Sequence, residues 1–585
     1  MNGYWLLSLL VPLALAAAAE AGPEPGEFRF KEMMLRDLVA GVPAILKSQD
    51  AETGRFGSGI WIVGDQNVIL PLAAAWATES KDNPYYHDPT ILEAIMSGGD
   101  ALIADQDPNG EWMFRKKDGS TWGMSPMCWT YSRWIRAFSI VKDAMPEDRR
   151  KKWEAALTLG YNRIATKYLN HVHNIPAHHA MGLYVAGKTL NRPEWCKQAS
   201  EFLAQVAAKQ DPVGFWSENH GPVVNYNYVY VDALGTYYAL SRDPAVLGAL
   251  ERAARFHAAF AYPNGHNVET IDERNPYHAQ ISYGNVGFTF SPEGRGWMAR
   301  QYAAGGKSKG GFGAEHAAML LLYGDEGPTA STASSESDRA WVSPDGRALV
   351  RRRAPWFVCL SSYHCPVPRN RWIQDRQNFV SIYHDRVGLI LGGGNTKLQP
   401  LWSTFTVGDT SLLRHEPGDI SPSFAEPEGL FHVPSAAGLK KTDPVGIGLD
   451  YGPERCSVAV EPVDDTTLRI HLHASANSGA PVEAHLTLLP RIGKPFGAAN
   501  LPARELSNEA FSLSSKDLGD WIEHAGWRLS APAGARVDWP VLPHNPYVKD
   551  GAAKPGEGRI VVSVPFEPGS SDCTLTLTVD GKDTP

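Results

Sequence analysis

Four times in its first half the chain ends a helical run with the same kind of turn. Lys47-Ser48-Gln49-Asp50 is followed by Gly54 and Phe56, and Asp105-Gln106-Asp107-Pro108-Asn109-Gly110 by Trp112. Lys209-Gln210-Asp211-Pro212-Val213-Gly214 leads to Trp216, and a looser copy reads Tyr262-Pro263-Asn264-Gly265. The glycines lie 56, 104 and 51 residues apart, so the middle interval holds two periods and one copy is missing near position 165. Glycine after Asp or Asn supplies the positive φ that stops a helix. A period of about 50 residues fits a helical hairpin with its loops, a unit that buries its apolar face by stacking on its neighbours. Such a stack stays an open solenoid or closes into a ring. The Trp, Asn and His gathered in these turns favour closure, with the loops converging on one cleft.

Between the turns the apolar residues keep helical spacing, as in Met34, Leu38, Val42 and Ile45, in Ile91, Ile95 and Leu102, and in Trp153, Leu157 and Tyr161. Past a polar, small-residue stretch at 326–340 the period changes. Short alternating runs at 347–352, 356–361, 379–384, 387–391, 468–473, 482–489, 559–564 and 573–579 read as strands between Gly, Pro, Asn and Asp turns. Residues 402–450 read as long loops reaching back over the cleft. The chain is therefore expected to be a multidomain α and β protein. An incomplete α/α toroid of helical hairpins occupies 22–325, a linker 326–340, and an antiparallel β-sandwich 341–585.

Residues 5–19 are apolar and uncharged and end in small residues, with Ala19-Glu20-Ala21 fitting a cleavage site. Residues 1–21 are expected to be a signal peptide, which makes the protein secreted or periplasmic, with no stable membrane insertion after cleavage. The net charge of −9 does not favour nucleic acid. The six cysteines show no CxxC spacing, so neither a zinc ribbon nor a redox pair is indicated. Disulfides and scattered buried thiols both remain open. No cofactor is required, although a structural metal ion in the β domain is not decided by the sequence.

Where the missing repeat copy belongs, the chain carries His171-Val172-His173-Asn174-Ile175-Pro176-Ala177-His178-His179. Substrate binding or catalysis is the leading reading. A metal site on His173 and His178 is a second, and capping or loop hydrogen bonds are a third. The next hairpin brings Trp216-Ser217-Glu218-Asn219-His220, then Tyr226, Tyr228 and Tyr230, with Tyr226 and Tyr230 one helical turn apart. Arg274 follows one repeat later, free to pair with a substrate carboxylate or with Asp272. Trp122, Trp216, Asn219, His173, His179 and His364 are candidate substrate contacts.

This layout resembles the polysaccharide lyases built from an α/α toroid and an antiparallel β-sandwich, which include chondroitin AC and hyaluronate lyases, heparinase II/III-like enzymes and exo-type alginate lyases. Asn174, His220, Tyr226 and Arg274 fall in the family's order and at similar spacing. The literal Asn-Asn-His and Tyr-Gly signatures are absent. The resemblance implies β-elimination on a uronic-acid-containing, anionic polysaccharide. Asn174 with His178 or His179 would hold the carboxylate. Tyr226, or Tyr230, would be base and acid, with Arg274 or His220 supplying positive charge, or His220 would itself be the base. A further His from the sandwich side, His364 or His384, is implied too. Two alternatives stand beside it. A glycoside hydrolase on the same toroid would use two of Glu218, Asp232, Asp272 and Glu273. A non-catalytic glycan-binding protein would use the Trp-lined mouth alone.

Overall fold

The computed structural model describes residues 26–274, 283–305, 311–392, 394–568 and 571–580. The repeat turns take the form their glycines require. Gly54, Gly110, Gly214 and Gly265 all have positive φ, from 69° to 113°. A Cβ on Gly54, Gly110 or Gly214 would also lie 2.3–2.6 Å from backbone atoms of Ser97, Gly160 or Arg252, so only glycine permits the approach. The glutamine that precedes the first three of these turns is a tie. The Nε2 of Gln49, Gln106 and Gln210 donates to the carbonyls of Ala94, Ala156 and Ala249, each on the next outer helix.

The helices are α1 (Lys31–Lys47), α2 (Ile69–Ala77), α3 (Pro89–Asp105), α4 (Cys128–Val141), α5 (Glu147–Lys167), α6 (Asn174–Thr189), α7 (Pro193–Ala208), α8 (Val224–Ser241), α9 (Pro244–Ala259), α10 (Pro292–Gly305) and α11 (Ala314–Tyr323). Helices α2, α4, α6, α8 and α11 follow one another around the inside, and α11 packs back on α2. The ring closes at its chain ends. Glu27–Phe28 pairs with Gly327–Pro328, and the Glu326 carboxylate accepts the backbone N–H groups of Phe30 and Lys31 at 2.6 and 2.7 Å. The stretch read as a linker is thus docked at its start, and at its end Asp338–Val342 is already a strand.

The C-terminal half is two antiparallel sheets, one of eleven strands and one of nine. The eight strand runs read from the sequence are present, among them Trp356–Ser361, Val482–Leu488 and Asp572–Val579. Residues 402–450 are not all loop: Phe405–Gly408, Ala436–Lys440 and Val445–Tyr451 are strands. Strand Trp356–Ser361 is buried along its whole length because both faces of its sheet are covered. Trp356, Val358 and Leu360 face the second sheet. Phe357 and Cys359 face the toroid, among Val213, Phe215, Phe256, Tyr262 and Ile271. The sandwich therefore docks through one sheet against the hairpins that carry the candidate residues. All six cysteines are free.

Candidate active site

Two toroid segments, 217–223 and 269–274, lie side by side under the sandwich. Buried Glu273 accepts the backbone N–H groups of Asn219 and His220 at 3.0 and 2.9 Å. Buried Asp272 accepts those of Val224 and Arg274 at 2.8 and 2.7 Å. Helix α8 has no side-chain cap of its own, so Asp272 supplies from a distant loop the acceptor that an N-cap residue normally gives. Burial pushes the Glu273 carboxyl up, opposed by Arg376. The sandwich holds this strap from above. Gln374 N–H donates to Glu273 O (2.8 Å), Arg376 Nη1 to Ile271 O (2.7 Å) and Asn395 Nδ2 to Asp272 O (3.0 Å).

Below the strap the N-terminal ends of α6 and α8 meet. Asn174 is the first residue of α6 and is buried. Its Nδ2 donates to Glu218 Oε1 at 3.3 Å, and its Oδ1 accepts from His173 Nδ1 at 3.1 Å. His173 Nε2 lies 3.3 Å from Glu218 Oε2. The hydrogen bond and the charge of Glu218 hold the His173 pKa above the ordinary histidine value, against the effect of burial and the charge of Arg274. Tyr226, in the first turn of α8, lies with its ring face under the Arg274 guanidinium, 4.4 Å from the ring centroid. Arg274 makes no ion pair among the described residues; only its backbone N–H meets Asp272. Asn174, His173, Glu218, Tyr226 and Arg274 are thus one cluster. It sits where two helix N-termini add positive potential.

Two cavities open on residues next to these in the chain, one at His220 and one at Asn225, and none of the five cluster residues lines either. One, of about 620 Å³, lies between the domains and is lined by His220, His364, Arg347, Glu426 and Phe431. Segment 426–435, read as part of the loops over the cleft, does form one wall of it. The other, of about 500 Å³, is an axial funnel of the toroid lined by Trp129, Arg133, His178, Asn225, Asp232 and Glu315. There His178 Nε2 is 3.4 Å from Asp232 Oδ2 and its ring meets Trp129 edge-on at 4.2 Å.

No protein-family model and no curated protein matches the sequence. Among solved structures the chain is similar to a Paenibacillus xanthan lyase, at 12% identity and a TM-score of 0.53 over 94% of this chain and 57% of that one. It is also similar to two heparinase III structures. The values are 12% identity and 0.50 over 89% and 77% of the two chains, and 10% and 0.52 over 95% and 84%. The fold is that of the toroid-and-sandwich polysaccharide lyases. The chain spans 57% of the xanthan lyase's length.

Within this fold the residues singled out from the sequence separate. Of the three tyrosines, Tyr226 alone stands beside Arg274. Tyr230 is buried and stacked on Trp216 at 4.8 Å, and burial raises its pKa. Tyr228 packs with His257, Phe288 and Trp297. Trp216 is not at the cleft mouth. It is 3% exposed and its indole N–H donates to Val206 O, as Trp112 donates to Leu102 O two repeats earlier. Its place is set by the repeat.

His178 and His179 do not partner Asn174, because both lie inside α6 rather than in a turn. His179 is buried against Tyr168, and burial takes its pKa down to about 3. His173 and His178 do not converge on a metal site, since each has its own carboxylate. Among the described residues no group of three or more His, Cys, Asp or Glu is arranged to hold a metal. His364 shares the inter-domain cavity with His220, whereas His384 is buried and bonded to Asp465 O. Trp122 is 65% exposed on the hairpin Trp112–Arg115 and Thr121–Ser125, stacked on Phe114 and covered by Lys116. Asn219 is exposed at the strap.

The carboxylates offered for hydrolysis are committed elsewhere. Asp272 and Glu273 cap backbone N–H groups, Asp232 faces His178 and Glu218 faces Asn174 and His173. The sequence reading missed the roles of Glu218, Asp272 and Glu273 as holders of the site. It also missed Arg376, whose run Gln374-Asp375-Arg376-Gln377-Asn378 is wholly buried although polar. Such a run beside a strand is the signal that was available.

Proposed function

We propose that the protein is an exported polysaccharide lyase that cleaves a uronic-acid-containing polymer by β-elimination, with Tyr226 as the base. The observation that carries this reading is the Tyr226 ring under the Arg274 guanidinium, with Asn174 and His173 joined through Glu218, which raises the His173 pKa. The segment read as a signal peptide lies outside the described residues, and export rests on its sequence alone. Among the described residues no helix is long and apolar enough to cross a membrane.

Elimination requires the C5 proton to leave while the substrate carboxylate takes up negative charge. One N–H of the Asn174 amide is spent on Glu218, which leaves the other for that carboxylate. The His173 imidazolium and the Arg274 guanidinium supply the positive charge. Tyr226 acts as the phenolate: its Oη takes the C5 proton, the C4–O4 bond breaks, and the phenol so formed gives that proton to O4, which regenerates the phenolate. The product carries a C4–C5 double bond. His220 and His364, which line one inter-domain cavity, bind neighbouring units in this reading. A hydrolase would need two opposed carboxylates, and Asp272 and Glu273 are taken up by backbone N–H groups while Glu218 holds Asn174 and His173.

The test is ultraviolet absorbance during incubation with alginate, glucuronan, hyaluronan, chondroitin, heparan, ulvan and xanthan. Absorbance from the unsaturated product should rise with one of them. Tyr226→Phe should lower the rate by about 10²- to 10⁴-fold without changing the melting temperature. New reducing ends without that absorbance would overturn the proposal.

A further inference from the structure

The Tyr226 cluster has a second wall, supplied by the sandwich. Asn370 Oδ1 accepts the backbone N–H groups of Trp372 and Ile373, both at 3.0 Å, and so folds a tight turn. The next N–H, that of Gln374, donates to Glu273 O at 2.8 Å, which fixes this turn beside Arg274. A second turn is tied to the first. Arg371 donates to the carbonyl of Val548 and lies 5.3 Å over the Trp372 indole. The rings of Trp372 and Tyr547 stand 6.0 Å apart at 54°. Trp372 is 37% and Tyr547 57% exposed. The phenol of Tyr547 lies within range of the charges of Arg274 and Asp272 and of Tyr226 itself. Two large rings left facing water on a rigid, hydrogen-bonded support, next to two guanidinium groups, suit a flat partner with an apolar face and an acidic edge. A uronate sugar ring has both.

We propose that Trp372 and Tyr547 form an aromatic subsite that stacks one sugar ring of an acidic polysaccharide, next to the unit held at Tyr226. Arg371, over the Trp372 indole, recognises its acid group. This rests on the lyase reading of the Tyr226 cluster, so binding and cleavage are measured separately.

Binding is measured by calorimetry in the Tyr226→Phe protein, with size-defined oligosaccharides prepared from each polymer of the panel and with cello-oligosaccharides of equal length as neutral controls. The acidic oligosaccharides should bind more tightly than the neutral ones. Trp372→Ala should weaken that binding about tenfold, and Trp372→Phe should restore most of it. With Tyr226 intact, Trp372→Ala should raise KM about tenfold while kcat stays within about twofold. An unchanged Kd and KM in both Trp372→Ala and Tyr547→Ala would overturn the subsite, even if the protein is a lyase. Binding that is lost in Trp372→Ala without cleavage of any polymer would support the subsite and sink the lyase reading. Absence of binding by every acidic oligosaccharide would overturn the subsite.

Discussion

His173 shows how a residue's role can be set by a partner 45 positions away in the chain. Its ring is part-exposed, and Glu218 raises its pKa through one hydrogen bond and one charge. The folded-state pKa is above the unfolded value of about 6.5. The stabilisation from the pair is therefore complete below about pH 6.5 and is lost as the pH rises through the higher folded value. If the imidazolium helps neutralise the substrate carboxylate, kcat/KM should fall on the alkaline side of that same pKa. Glu218→Gln should move this limb to lower pH, and His173→Gln should remove it. A pH profile unchanged in both variants would exclude His173 from the site. His178 and His179, one turn further along the same helix, are buried and their pKa values are pushed down by burial, His178 facing Asp232 and His179 facing Tyr168.

At the scale of elements, the strap 269–274 is the part on which the site depends. It is one turn of helix, Glu269–Ile271, followed by two carboxylates that point down into the toroid while the backbone is held from the sandwich. Asp272 substitutes for the missing cap of α8, which carries Tyr226; removing such a cap costs about 1 kcal/mol. Glu273 holds the loop with His220 and faces buried Arg376, 3.8 Å away. Glu273→Ala would leave that guanidinium without its counter-charge, a change worth about 3–5 kcal/mol. Two outcomes are expected, a lower melting temperature and a kcat/KM reduced about 10-fold or more through misplacement of His220 and Arg274. A variant that melts early yet keeps full kcat/KM would show that the strap stabilises the fold without positioning the site.

At the scale of the whole molecule, the toroid is a ring closed by a few long-range bonds. The first helix lacks a side-chain cap from its own neighbours. Glu326, at the far end of the helical half, supplies it. Glu326→Gln keeps the shape but loses the charge at a helix N-terminus, a loss of about 0.5–1 kcal/mol. Its expected signature is faster amide exchange in α1 and α11 together, with the sandwich unaffected. Exchange rising in α1 alone would mean that Glu326 caps a helix without closing the ring.

Much of this architecture was legible in the residues. The Gln-Asp-Gly turns marked the length of the helical unit, because positive φ and close approach admit only glycine at Gly54, Gly110 and Gly214. Alternation identified eight strand runs and placed the change from helices to strands. The order Asn174, His220, Tyr226, Arg274 was also readable. The rest depended on which side chains face one another. Local periodicity sets the backbone of α6 and α8, but it does not say that His173 meets Glu218, that Trp216 repeats the packing of Trp112, or that Tyr226 rather than Tyr230 lies under Arg274. Those pairings join residues that are remote in the chain. They exist only once the ring has closed and one sheet has docked on it, because only then is each helix face committed to core, cavity or cleft.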